Sequence, residues 1–106
     1  MTIEITSRHF SPSEKLQKLV NERVSKIERY SSLTNCFVIL EKDNTGEVVE
    51  IKAHSKGHEY FAQENSDLFE KSLTVAVDKI ITQMKKHSGK ANVKLKSDTI
   101  KFQPEL

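Results

Sequence analysis

Tryptophan is absent from this chain. Glycine, proline and cysteine are scarce, with three, two and one copies in 106 residues. So little glycine and proline leaves no room for a low-complexity tract, and no internal repeat is visible. The single cysteine, Cys36, rules out an internal disulfide and favours a reducing compartment. No run approaches the ~18 apolar residues of a membrane span. The chain opens directly on an alternating segment, so no signal peptide is expected. A phosphate-cradling glycine loop and a G-x-S-x-G elbow are both missing. The most telling scarcity is of acid at one end. Between Lys79 and Lys101 there are seven lysines and one acid, Asp98, whereas residues 1–78 hold ten basic and thirteen acidic side chains. A near-neutral chain (formal net charge +2) with one strongly basic end is suited to an anionic partner there, a phosphate backbone or an anionic membrane.

What is present reads as one domain with a modest core. Thr2-Ile3-Glu4-Ile5-Thr6 alternates as a half-buried strand. Ser11-Pro12-Ser13-Glu14 is a helix start, with Ser11 as cap and Glu14 completing a capping box. Leu16, Leu19, Val20, Val24, Ile27 and Tyr30 then form one apolar helical face. Strands are expected over 35–42, 48–54 and 59–64, separated by the turns Asp43-Asn44-Thr45-Gly46 and Ser55-Lys56-Gly57. Ser66 or Asp67 can cap a second helix carrying Phe69, Leu73, Val77, Ile80 and Met84, with Gly89 fitting its end. The order β-α-β-β-β-α predicts an α+β fold, two helices on one face of a four-stranded, mostly antiparallel sheet. Residues 1–90 make the domain and 91–106 a basic tail. Val93, Leu95, Ile100 and Phe102 of the tail could add a strand or dock on a partner, and disorder in isolation is equally compatible with the pattern.

At 100° per residue, Lys15, Lys18, Lys26 and Arg29 fall within about 80° of one another on the first helix. Lys79, Lys86 and Lys90 align on the second at i, i+7 and i+11, with Lys85 on another side. Helices packed side by side could merge these stripes into one basic surface, extended by Lys94 and Lys96. Lysines on a helix are ordinarily a solvated face, but the run over 79–101 is too one-signed for that alone. Such cations bind phosphates with salt-dependent affinity and read RNA by shape. His9, His54, His58 and His87 show no metal-ligand spacing, and no metal site is expected. Cys36, inside an apolar strand, reads as a small core residue rather than a nucleophile. No pair of carboxylates stands out, so neither catalytic residues nor a cofactor is expected.

These residues resemble a family. Ile3-Glu4-Ile5-Thr6-Ser7, followed by Leu16, Val20, Arg23-Val24 and Lys26-Ile27-Glu28-Arg29-Tyr30, is similar to the first strand and helix of the short ribosome hibernation-promoting factors and the related ribosome-associated inhibitor. The second helix follows through Asp78-Lys79-Ile80, Gln83-Met84, Lys86-His87 and Lys90, near the family pattern D-K-L-x-R-Q-L-x-K-x-K-x-K. The likeness spans roughly residues 1–90 and rests on order, spacing and length rather than on one motif. There are departures. Ser66-Asp67-Leu68-Phe69-Glu70-Lys71-Ser72-Leu73 stands where E-D-M-Y-A-A-I-D is common, Thr82 where an arginine is frequent, and Ser88 where a lysine is frequent. Two phosphate contacts are then missing, which Lys85 and the tail lysines could offset.

The resemblance implies a fold similar to double-stranded RNA-binding domains. It also implies a partner, the small ribosomal subunit and its rRNA, bound in the channel of mRNA and tRNA so that translation is blocked in stationary phase or stress. Arg23, Lys26, Arg29, Lys79, Lys85, Lys86, His87, Lys90, Lys94 and Lys96 are the RNA-binding candidates it supports. Lys79, Lys86 and Lys90 are central among them, and Arg23 could bridge the helices to RNA. A bacterial cytoplasmic protein, monomeric off the ribosome, needing no cofactor and no membrane, is implied. The tail leans toward family members that hold single ribosomes, and no long-form dimerisation domain is expected. The alternative is a protein-interaction module using its sheet edge or tail.

Overall fold

The computed structural model describes residues 2–30, 35–55 and 57–96, the last ten of these as backbone only. Its elements are β1 (Thr2–Arg8), α1 (Glu14–Ser25), a short 3-10 turn (Lys26–Arg29), β2 (Asn35–Asp43), β3 (Gly46–Ser55), β4 (His58–Ser66) and α2 (Phe69–Lys96). The sheet order is β1-β2-β3-β4. β1 runs parallel to β2, as a strand joined through a helical crossover can, and the two hairpin connections make the other pairings antiparallel. The α+β fold with two helices and a four-stranded mixed sheet is the one the sequence predicts.

Alternation decides which side of the sheet is covered. Ile5, Val38, Ile51 and Ala62 form one row across the strands, and Ile3, Cys36, Ala53 and Tyr60 the next. Both rows lie in or against the core, which Val20, Val24 and Ile27 close from the first helical segment and Phe69, Leu73, Val77, Ile80 and Met84 from α2. All five apolar positions expected on the second helix are buried. Cys36 is fully buried, and burial pushes its thiol up to about 12, so it packs as a small apolar side chain and stays protonated.

The Asp43–Gly46 turn holds as its residues predict, while Lys56 of the second expected turn lies outside the described residues. Asp43 Oδ1 accepts from the Thr45 amide at 2.8 Å and from its hydroxyl at 2.6 Å. These two bonds hold the Asp43 carboxyl below the usual carboxylate range. Gly46 has φ +137°, and a Cβ there would collide with the Ser66 carbonyl, so this turn position requires glycine.

Four local readings need correction. The α1 cap is Ser13, not Ser11: its hydroxyl accepts from the Leu16 amide at 3.1 Å, three residues on, while Pro12 lies outside the helix. At the start of α2, Ser66 serves the Leu68 amide, but the Phe69 amide goes to the Glu47 carboxylate of β3 at 2.6 Å, a long-range cap. Tyr30 is 44% exposed, because the backbone tightens to a 3-10 turn before it and rotates it off the apolar face. Gly89 does not end α2. A helical glycine costs only about 1 kcal/mol against alanine, and the Lys- and Ala-containing run after it favours helix, so the backbone remains helical to Lys96. Val93 and Leu95 are therefore helical rather than in an added strand. Ile100 and Phe102 lie outside the described residues.

Candidate nucleic-acid interface

α2 packs over β3 and β4, antiparallel to β4, with one flank along the free edge of that strand. Gln83 Nε2 donates to the Phe61 carbonyl at 2.7 Å, and its Oε1 accepts from the Phe61 amide at 3.3 Å. Four residues earlier on the helix, Lys79 pairs with Glu64. Nearer the helix start, the Ser66 and Ser72 hydroxyls meet at 2.7 Å. This flank of the helix is thus pinned to the last strand. The edge of β4, which could otherwise accept a partner's strand, is closed at Phe61. Lys86, seven residues after Lys79, belongs to the same flank by helical register and is exposed.

The other flank of α2 meets α1. Arg23 donates to the Thr74 hydroxyl at 2.6 Å and to Glu70 Oε2 at 3.1 Å. Thr74 passes its own hydrogen to the Glu70 carbonyl at 2.8 Å. Further along, the Lys85 ammonium sits 5.2 Å from the Tyr30 ring centroid, within cation–π range. Lys26 and Arg29, in the 3-10 turn that leads into Tyr30, are both exposed. Lys85 thus meets the exposed Tyr30 ring, and Lys26 and Arg29 are exposed on the turn that leads into it.

The single surface anticipated from the two helical stripes is thus divided. Lys79 and Lys86 lie on the β4 flank, while Lys26, Arg29 and Lys85 lie on the α1 flank. Between them runs the outward ridge of α2, where Asp78 and Thr82 are exposed. Thr82 occupies the place where the resemblance leads one to expect arginine, so the ridge joining the two basic flanks carries no cation at that step. Lys90 registers with Lys79 and Lys86 on the helical backbone. The side chains of His87, Lys90, Lys94 and Lys96 lie outside the described residues.

Two of the ion pairs of α2, those that tie it to β4 and to α1, have opposite geometry. In the Lys79–Glu64 pair the cation is the open partner, at 56% side-chain exposure against 21% for the acid. In the Arg23–Glu70 pair the cation is recessed, at 25% against 63%. Arg23 is therefore a tie between helices first. Its guanidinium already has two partners within the fold.

Other chemistry is sparse. His54 Nδ1 lies 3.8 Å from a Glu59 carboxylate oxygen, and the His58 ring is tilted against Tyr60 at 4.5 Å. Among the described residues no three His, Cys, Asp or Glu side chains gather to hold a metal. No helix among them is long and apolar enough to cross a membrane. Among the described residues the surface offers exposed cations on the two flanks of one helix, which can neutralise phosphates and position a backbone.

Sequence reasoning missed Glu64, Gln83 and Glu47 as the partners that fix this arrangement. One signal was available: Tyr60, Ala62 and Glu64 share a parity, which puts Glu64 on the helix-facing side of β4.

Comparison with known proteins gives a consistent outcome. The profile of the family described as Sigma 54 modulation protein / S30EA ribosomal protein matches residues 3–92. A ribosomal subunit interface protein from Coxiella burnetii superposes with a TM-score of 0.77 at 23% identity, covering 84% of this chain and 99% of that one. The N-terminal domain of Protein Y from Thermus thermophilus superposes with a TM-score of 0.75 at 20% identity, covering 82% and 99%. At these identities the superpositions establish the shared fold. No curated protein matches by sequence.

Proposed function

Since this chain belongs to the Sigma 54 modulation protein / S30EA ribosomal protein family, we propose that it is a ribosome-associated hibernation factor. In this reading it binds the small subunit and silences translation by filling the channel that mRNA and tRNA use. The observation that carries the reading is the pair of basic flanks on α2, with Lys79 and Lys86 on one side and, on the other, Lys85 over Tyr30 beside the exposed Lys26 and Arg29 of the preceding turn. Cations on either side of one helix suit a folded RNA surface, which is recognised by its shape and its phosphates. Occlusion asks for no bond to be made or broken. A rigid domain with cations on its rim is sufficient.

The contacts assigned to rRNA are Lys79, Lys85 and Lys86, with Lys26 and Arg29 beside them. His87, Lys90, Lys94 and Lys96 would extend the row along the rest of α2. The protein acts in the cytoplasm as a monomer until it meets a ribosome, in stress or stationary phase, and requires no cofactor. Co-sedimentation with separated small and large subunits across a salt series tests the reading. Salt-sensitive binding to the small subunit alone is the expected result. Failure to bind either subunit at low salt would overturn it.

A further inference from the structure

We propose that Glu64 is a built-in competitor for the phosphate that Lys79 would bind, and that it sets how strongly the β4 flank of α2 holds RNA. The inference rests on the ribosome-binding reading above and concerns the regulation of that same surface.

Glu64 sits on β4 with the helix-facing parity of Tyr60 and Ala62, and its carboxylate is largely covered. Lys79 reaches it from α2 with the ammonium end open to solvent. Placement on a strand fixes the acid, while the lysine is a four-carbon chain that can swing. The strand and helix cannot slip to separate the two, because Gln83 clamps the Phe61 peptide one helical turn further on and Ser66 meets Ser72 on the other side. Lys79 therefore has a local counter-anion tethered on the strand. An RNA phosphate must displace it, and a phosphate that fails to align with the other cations has too little to offer in exchange. An ordinary surface lysine is neutralised by mobile salt ions, whose release drives binding and makes it salt-sensitive. A lysine neutralised by a tethered carboxylate releases none. The pair thus weakens casual binding to any polyanion and flattens the salt response of this one contact.

The contrast with Arg23 and Glu70 sharpens the point. There the cation is the recessed member, with a second hydrogen bond to Thr74, so it is held in the fold whether or not the acid is present. Of these two pairs, the Lys79 pair is the one that leaves the cation at the surface to be exchanged.

The test is Glu64→Gln, which keeps shape and removes charge, alongside Lys79→Ala, the double variant, and Glu59→Gln as an exposed acid on the same strand whose partner is His54 rather than a lysine. Binding to isolated small subunits is measured over a salt series, with thermal melts confirming the fold of each variant. Glu64→Gln should bind several-fold tighter at low salt, and its log–log salt slope should steepen by about 0.7–0.9 unit, one extra counterion released. The gain should vanish in the double variant and be smaller in Glu59→Gln. Should Glu64→Gln match the wild type in affinity and slope, or gain equally with and without Lys79, or gain no more than Glu59→Gln, then Glu64 does not compete for that lysine. Those results overturn this inference while the wild type still binds. A wild type that binds no subunit overturns the ribosome reading itself, and the inference falls with it.

Discussion

The two flanks of α2 carry the same kind of charge and use it differently. On the α1 side, Arg23 serves structure, joining Thr74 and Glu70 across the helix pair, and the more exposed cations lie further along, with Lys85 over Tyr30 and Lys26 and Arg29 on the turn before it. On the β4 side, neutral groups share the work, the Gln83 amide on the Phe61 peptide and the Ser66–Ser72 hydroxyls, and in the Lys79–Glu64 pair the acid is the covered member. That leaves Lys79 and Lys86 at the surface. A basic residue on an amphipathic helix is therefore not a contact by virtue of its charge alone. Whether it can meet a phosphate depends on which neighbour holds the helix in place.

The largest effect should come from removing what supports both flanks. Ile80 is fully buried beneath the helix, and Ile80→Ala should cost about 2–5 kcal/mol in denaturant unfolding. Binding should weaken along with the loss of folded protein. A destabilised variant that binds as before would show that the flanks do not depend on a fixed helix.

Arg23→Ala and Lys79→Ala break the comparison more selectively. Arg23→Ala should lower stability by about 1 kcal/mol, a figure kept small because Glu70 is well exposed, with only a modest loss of affinity. Lys79→Ala should shift stability by less than about 0.5 kcal/mol and weaken small-subunit binding. Lys85→Ala or Lys86→Ala should each weaken binding and lower the salt slope by about 1 unit. If Arg23→Ala costs more affinity than either, the division between structural and contacting cations is wrong.

Thr82→Arg sharpens the comparison in the opposite direction. It places a cation on the ridge between the flanks and should tighten binding and raise the salt slope by about 1 unit. A filter-binding titration with small subunits over several salt concentrations would reveal it.

The smallest effect concerns the fold alone. The Cys36 thiol is raised from an unfolded value near 9 to about 12 by burial. Its contribution to stability is present below pH 9 and declines as pH rises from about 9 towards 12, where the unfolded chain ionises first. Alkylation at pH 8–9 should therefore be slow in the wild type, Lys79→Ala and Lys86→Ala, and faster in Ile80→Ala. Rapid alkylation of the lysine variants would mean that their binding defects reflect unfolding.

Much of this was legible in the chain because it is written in local periodicity. The spacing of Phe69, Leu73, Val77, Ile80 and Met84 fixed the buried face of α2, and with it the common side of Lys79, Lys86 and Lys90. The Asp43–Gly46 turn was readable because only glycine fits the last position. What was not legible depended on lateral packing. Helical angles place Lys79 and Lys85 on different sides of α2, but not which side faces α1 and which faces β4. Glu64, Glu70 and Glu47 find their partners only after that choice is made. Ser13 against Ser11, and the continuation of α2 past Gly89, were decided by margins of about a kilocalorie, which sequence signals of capping do not resolve.

The central claim is that these cations hold the domain where the message and tRNA bind. A competition measurement tests it most directly: small subunits carrying fluorescent mRNA and P-site tRNA are titrated with the protein, and bound label is followed at low salt. The account predicts that both labels are displaced at protein concentrations that saturate the subunit, and that Lys79→Ala, Lys85→Ala and Lys86→Ala require more protein. Stable co-occupancy of the protein with mRNA and tRNA on one subunit would contradict it.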